Sequence, residues 1–539
     1  MEKLMRSRTM KISLLGLIML LGFALRSYNI DFPAIGYHNM KENDYLSMAQ
    51  EMQRTGDYVT RRIYFWNAFE DNPTIRVYPQ PPLISYQILL CWKTLGENLW
   101  GPRLINVLFG VAAILIMYLI AALLFKDVWR AMYCSLLLAI MPLAVFFSRN
   151  LQPESQAFFF MLLGSFFYLK FIRSFKAYNL LLGGIAFSLA WLYKFSFLIA
   201  ILPIAACLPY KKIFGEKKRA LFKYAFTFIL PYLIVIASIL WMKRTGQWQF
   251  EDWGRVRIFE IFSPDYWKKY GKMIWWYARG ENFTVIFTLL ATAGIILAFV
   301  KRKGLLNRYI IGSALAVVPY SMFFSDYVNQ HNYYQMPFLA LVCLAVIYAV
   351  GFFADTIKKL ANRNAFILIM AVVVIAAIPP IHASITRMFA TVFLGQDVAG
   401  ESLNEFTAPD ERIFLFTYPQ GYAIARYARR YVGWASGLED FKQKEQKFNM
   451  RYVCFYPAEF AQVLKAEQPD LFNYLKDNYH VKEVGLTEEP GKLAYIIMER
   501  GKPKPEEQKE FLQSFSGNRQ LRTIYKLFGR YIFFYSLRT

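Results

Sequence analysis

The sequence predicts a polytopic α-helical membrane protein, with about eleven transmembrane helices and a C-terminal soluble α/β domain. Three observations carry this prediction. Of 539 residues, 56% are hydrophobic and only 19% charged, against about 25% charged in ordinary soluble domains, and mean hydropathy is positive at +0.27. The apolar residues gather in runs close to the ~20 residues that a helix needs to cross a bilayer. The polar segments between those runs alternate between basic and mixed charge, as the positive-inside rule requires. This composition excludes a disordered chain, a collagen-like repeat and an ordinary cytosolic enzyme.

The apolar runs lie near 11–27, 102–125, 131–148, 155–172, 178–193, 196–210, 223–242, 283–300, 309–325, 336–354 and 366–386. The first follows a basic start and shows no small-residue cleavage site after it, so it reads as an uncleaved helix rather than a signal peptide. The runs at 178–193 and 196–210 almost touch, as a tight hairpin or a broken pair would. With the N-terminus inside, the inside segments hold clusters such as Lys126 and Arg130, Lys211 to Lys223, and Lys301 to Arg308. An odd number of spans then places the C-terminus outside. This predicts a transmembrane module over residues 1–386, with outer loops at 28–101, 243–282 and 326–335. Residues 387–539 form an extracytoplasmic α/β domain, in which apolar stretches Arg412–Thr417, Tyr452–Tyr456 and Leu493–Met498 read as strands and Ala458–Tyr479 as helical.

The net charge of +24 could suit nucleic acid, but the basic residues fall largely in short loops between apolar runs, where they report orientation. No nucleic-acid partner is expected; membrane lipids are. Cys91, Cys134, Cys207, Cys343 and Cys454 show no metal-binding spacing and no disulfide framework.

The outer loops hold the chemistry. Glu42 and Asp44 open a helical stretch in the first loop. Two readings stand: a solvated helix start, where carboxylates are favoured, or an acidic pair holding a substrate hydroxyl at the bilayer edge. Arg76 leads to Gln80-Pro81-Pro82-Leu83, a rigid entry into an apolar segment. Ser148-Arg149 precedes Gln152-Pro153-Glu154 at the mouth between two helices. Lys194 sits in a nearly continuous apolar hairpin on the outer side, where topology charge does not explain it. The loop 326–335 is dense in hydrogen-bonding side chains, and His38 and His331 both fall in outer loops. Loop 243–282 mixes Trp248, Trp253, Trp267, Trp275 and Trp276 with Arg255, Arg257, Lys268, Lys269 and Lys272, the composition of an interfacial amphipathic helix.

In their order along the chain these segments resemble the GT-C superfamily of integral-membrane glycosyltransferases. The resemblance is to the family-39 type, which includes protein O-mannosyltransferases and the lipid A aminoarabinose transferase. It rests on Glu42-Asn43-Asp44, Pro81-Pro82-Leu83, Gly101-Pro102-Arg103-Leu104, Ser148-Arg149 with Glu154, Lys194, His331-Asn332-Tyr333-Tyr334, and Tyr427 to Trp434. Many relatives carry a lysine or acid where this chain has Gln80, and Asp where it has Glu154.

The resemblance implies a sugar donor linked to a polyprenyl phosphate, used at the outer face of a bacterial inner membrane. The acceptor would be a glycan, lipid or protein hydroxyl. Lys194 and Arg149 are the expected phosphate ligands, helped by Arg76 or Arg255. Asp44 is the first candidate for the base, Glu42 the second, and Glu154 orients either one or binds the acceptor. His38, His331, Tyr333, Tyr334 and Gln80 are expected to line the substrate site. No cofactor is assigned and no metal is predicted; were one used, Asp44, Glu154 and His331 would be its ligands. Two alternatives remain open: an oligosaccharyltransferase or ligase using a pyrophosphate-linked glycan, and a non-enzymatic transporter of lipid-linked sugars. Against the transporter, no paired internal repeat is visible and the polar residues gather on one face.

Overall fold

The computed structural model describes residues 8–65, 80–215, 218–247, 258–358, 365–418, 421–488, 492–503, 505–506, 509 and 519–539. Arg76, Arg255, Arg257, Trp248 and Trp253 lie outside them. The chain separates into two compact units. One comprises Met1–Ile30, Tyr78–Ile84 and Trp100–Met388; the other comprises Asp31–Val77, Ser85–Leu99 and Phe389–Thr539. Most of the first loop thus belongs with the tail rather than with the helices that flank it.

The first unit is helical. Six helical stretches among the described residues are long and apolar enough to cross a membrane: Thr9–Arg26, Trp100–Phe125, Glu154–Ser174, Ala220–Arg244, Asn332–Thr356 and Ala365–Ala390. A seventh arises if the bent pair Pro264–Asn282 and Val285–Lys301 counts as one span. The expectation of about eleven is therefore not confirmed. The reason is that several apolar runs are interrupted and yield short helices. The run at 131–148 becomes Val128–Ile140 and Pro142–Phe147, parted where Met141 takes an extended conformation ahead of the proline. The run at 178–210 becomes Ala177–Tyr193, a 3₁₀ turn Phe195–Ala200 and Ile201–Cys207, parted at Lys194.

Burial separates inner from outer helices. The most apolar stretches of Asn332–Thr356 and Glu154–Ser174 are 78% and 61% buried, whereas those of Thr9–Arg26 and Ala365–Ala390 are 17% buried; the first two form the interior and the last two face outward, apolar surface and all. Helix Val285–Lys301 packs on Leu339–Lys358 so closely that a Cβ at Gly294 would collide with the Ala345 carbonyl. Small residues at such crossings let backbones approach where burial from water supplies no drive.

The second unit is built on a seven-stranded sheet. Its strands are β1 Ile413–Thr417, β2 Val432–Gly433, β3 Tyr452–Tyr456, β4 Tyr479–Thr487, β5 Leu493–Arg500, β6 Gln520–Leu527 and β7 Arg530–Arg538, in the order β2-β1-β3-β5-β4-β7-β6. β1 pairs in parallel with β2 and β3, and the remaining pairings are antiparallel. Alternate residues serve opposite faces. Ile413, Leu415 and Cys454 join one core. Phe414, Phe416, Val453 and Phe455 join the other, with Phe441, Leu464 and Leu471 from covering helices. Burial on both faces is why β1 and β3 read as unbroken apolar runs.

The three expected strand runs are thus β1, β3 and β5, and the expected helical stretch is Phe460–Glu467 plus Pro469–Asn478. First-loop residues Ile35, Tyr64 and Phe65 are buried in the core on the first face. Phe65 bridges to Val432 and Gly36 to Val392.

Candidate functional site

In the helical unit, the interrupted run at 178–210 fixes the position of Lys194. Its backbone is extended (φ −157°, ψ 107°) between helix and 3₁₀ turn, and its amide still caps the preceding helix by donating to the Ala190 carbonyl at 2.8 Å. The ammonium is buried and makes an ion pair with Glu154. It also stands 4.5 Å from the ring centroids of both Tyr333 and Tyr334, within reach of the negative faces of the two rings. His331 stacks on Tyr333 at 5.1 Å, and Tyr327 stacks on Tyr334 at 5.2 Å. The structure therefore brings together Lys194, Glu154, His331, Tyr333 and Tyr334, which are scattered over more than a hundred residues of sequence.

Glu154 is the first residue of helix Glu154–Ser174 and is 1% exposed. The helix N-terminus favours its negative charge, and Lys194 compensates it. Its Oε2, however, meets no hydrogen-bond donor among the described residues. An ionised carboxylate has acceptor capacity on both oxygens, so this one can receive a hydroxyl or other donor of a ligand.

The turn before Glu154 is held by a residue that sequence reasoning missed. Asn106, fully buried in helix Trp100–Phe125, donates to the carbonyls of Asn150 and Gln152 and accepts from Gln156, while Ser155 Oγ donates to its backbone carbonyl at 2.8 Å. Its signal was present: a lone amide inside an apolar span needs a partner. Arg149 is 5% exposed and donates through Nη1 to the carbonyls of Tyr28 and Asn29 at 3.2 and 2.7 Å. Part of its donor capacity thus holds the chain just beyond the first helix, Arg8–Arg26. Gln80 is buried in the same unit.

In the second unit, helix Asn39–Thr55 carries Glu42 and Asp44. Both are buried, at 3% and 1% exposure, so the solvated helix start does not describe them. Side chains two positions apart on a helix do not face one another, which makes the two carboxylates alternatives rather than one pair. His38 precedes the helix in a left-handed conformation (φ 57°) and packs on Tyr37 at 4.1 Å. The helix is locked into its unit by Asn39 donating to Gln396 at 2.8 Å, Asn43 to the Ala34 carbonyl at 2.6 Å, and Ser85 to the Tyr45 carbonyl at 3.0 Å. At its other end, Glu51 accepts from Arg54 and Tyr431 at 2.8 and 2.7 Å, and these bonds hold its carboxyl below the usual range despite burial. Among the described residues no group of three or more His, Cys, Asp or Glu side chains gathers to hold a metal ion.

Residues 79–241 match the family described as dolichyl-phosphate-mannose-protein mannosyltransferase. That segment includes Gln80, Arg149, Glu154 and Lys194. Over 219 residues the chain is 27% identical to undecaprenyl phosphate-alpha-4-amino-4-deoxy-L-arabinose arabinosyl transferase of Pseudomonas aeruginosa strain UCBPP-PA14, covering 39% of this chain and 38% of that protein. The chain resembles the GT-C glycosyltransferases of the family-39 type.

Solved structures extend the likeness along the chain. The apo oligosaccharyltransferase of Archaeoglobus fulgidus superimposes with a TM-score of 0.57 at 14% identity, over 91% of this chain and 74% of that one. ArnT of Cupriavidus metallidurans in the apo state gives a TM-score of 0.53 at 13% identity, over 92% and 99%. The same ArnT bound to undecaprenyl phosphate gives 0.51 at 14% identity, over 92% and 100%. At these identities the likeness is one of fold, and the curated arabinosyl transferase is matched over well under half its length.

Proposed function

We propose that this GT-C-type chain is a glycosyltransferase that moves a sugar from a polyprenyl-phosphate-linked donor to an acceptor hydroxyl. The observation that carries the reading is the seat of Lys194: a buried cation between the Glu154 carboxylate and two tyrosine faces, with Glu154 Oε2 unpartnered. A buried charge of this kind is costly to maintain without a task.

In the proposed reaction Lys194, with Arg149, binds the donor phosphate by charge-assisted hydrogen bonds. The acceptor hydroxyl attacks the anomeric carbon. Its proton passes to a carboxylate, Asp44 or alternatively Glu42, while the bond from the anomeric carbon to the phosphate oxygen breaks and the electron pair leaves with the phosphate. Lys194 stabilises the charge that develops there. A phosphate leaves without a general acid, so one carboxylate base suffices, and attack from the opposite face inverts the anomeric configuration. Glu154 orients the acceptor through its open oxygen. His38, His331, Tyr333, Tyr334 and Gln80 are the proposed substrate-lining residues. The resemblance supports a bacterial inner membrane, and loop charge supports a cytoplasmic N-terminus with the tail outside, so that transfer takes place at the periplasmic face; the acceptor is a glycan, a lipid or a protein.

The deciding experiment supplies purified protein with polyprenyl-phosphate monosaccharides and, separately, pyrophosphate-linked oligosaccharides. Transfer from the first supports the proposal. Transfer only from the second makes the chain an oligosaccharyltransferase or ligase, and transfer from neither, with movement of the lipid-linked sugar across vesicles, makes it a transporter.

A further inference from the structure

A second buried acid in the helical unit lies outside every motif read from the sequence. Helix Pro264–Trp276 displays Trp267, Trp275 and the exposed Lys268, Lys269 and Lys272, as an interfacial helix would. It then enters one π-helical turn, Tyr277–Asn282, before the chain bends by 108° into Val285–Lys301. A π-helical turn is rare and concentrates at functional sites. This one turns Glu281 and Asn282 inward, where they are 7% and 0% exposed.

Both reach the segment that seats Lys194. The Glu281 carboxylate accepts from Asn332 Nδ2 at 3.0 Å. Asn282 donates to the Asn332 carbonyl and to Gln335 Oε1, each at 3.0 Å, and Tyr277 donates to the Gln330 carbonyl at 3.0 Å. The turn is itself held from behind, where Ser384 donates to the Glu281 carbonyl at 2.6 Å and Arg387 to the Gly280 carbonyl at 3.2 Å. Asn332 is wholly buried and lies between His331 and Tyr333 in the chain. Tyr333 and Tyr334 are the two rings over the Lys194 ammonium.

We infer that Glu281 is a positioning residue: through Asn332 it sets the two tyrosine faces against Lys194 and so tunes this cation for the donor phosphate. The inference rests on the proposed phosphate role of Lys194. The chemistry favours a carboxylate at 281 because a charged acceptor bonds the buried amide more strongly than a neutral one. A buried amide left without its acceptor would draw the 331–334 segment out of register.

The test measures binding of undecaprenyl phosphate, in detergent micelles, to the full chain and its variants. Glu281→Ala should weaken binding about tenfold, the scale of one lost hydrogen bond to a charged group. Glu281→Gln, which keeps an acceptor, should stay within about threefold. Because 281 acts through the Lys194 seat, Glu281→Ala combined with Lys194→Ala should bind no worse than Lys194→Ala alone. Should Glu281→Ala fail to fold, Asn332→Ala removes the donor side of the same bond and takes its place in the series. Wild-type binding by the position-281 variant, or losses that multiply in the double variant, overturns the inference while leaving the phosphate role intact. Wild-type binding by Lys194→Ala overturns the phosphate role itself.

Discussion

Lys194 and Glu154 form an ion pair with side chains only 10% and 2% exposed, joining the break in one apolar hairpin to the first turn of another helix. Removing one partner of such a pair strands a buried charge, which costs about 3–5 kcal/mol. Lys194→Met should therefore lower thermal stability. Lys194→Met with Glu154→Gln should recover most of it, because the stranded charge is gone. Undecaprenyl-phosphate affinity should fall about ten- to a hundredfold in both, the worth of a charge-assisted contact. Melting curves and a binding titration on the two variants separate the structural share from the functional one; affinity that recovers with stability would deny Lys194 a phosphate role.

The base is tested in the helix Asn39–Thr55. Asp44→Asn keeps shape and hydrogen bonding but takes no proton, so transfer should drop about 10²–10⁴-fold while carrier-lipid binding changes little. Glu42→Gln is the matched control, two positions along the same helix. Loss confined to Glu42→Gln transfers the role to that residue. Full activity in both variants would remove the acidic segment from catalysis.

Asp397 gives the second unit a pH signature. It lies in the first turn of helix Gln396–Phe406, accepts from Tyr525 at 2.5 Å, and is pushed up to about 6 by burial. An unfolded aspartate titrates near 3.9. Between those values the folded form holds a proton that the unfolded form has lost. Its stabilising contribution is thus fully present below about pH 4 and is lost as pH rises through about 6. Asp397→Asn should remove this dependence and stabilise the segment at pH 8, on the order of 2–3 kcal/mol. Hydrogen exchange of the 396–406 amides at pH 5 and pH 8 reads it directly: the wild type should exchange faster at pH 8 after correction for intrinsic rates, and the variant should show no such difference.

Orientation can be read by thiol labelling, because all five native cysteines are buried. Ala466→Cys places a thiol at an exposed position on helix Phe460–Glu467. In cells with a permeabilised outer membrane it should react with a membrane-impermeant maleimide, as an extracytoplasmic tail requires. Labelling only after lysis would invert the topology.

Local pattern carried much of this protein. Hydropathy over a window is a property of neighbouring residues, so the apolar runs located the helices, and an unbroken apolar run located β1, β3 and β5. Lys194 stood out for the same reason: it is a cation in an apolar stretch whose topology does not account for it. The hairpin β6–β7 was equally local and went unread, although Phe528 and Gly529 between its strands both have positive φ, a two-residue turn for which X-Gly is the cue.

What the tertiary structure alone decided are the partnerships. Glu154 meets Lys194 across 40 residues and Glu281 meets Asn332 across 51, and no spacing rule spans such distances. Where the apolar runs break was also decided there, since Met141 and Lys194 interrupt stretches that hydropathy averages over. The first loop shows the same division most plainly. By sequence it is a segment between two helices, yet Ile35, Tyr64 and Phe65 are buried in the core beneath β1 and β3. Burial from water selects any segment able to cover the apolar face of that sheet, however distant in sequence.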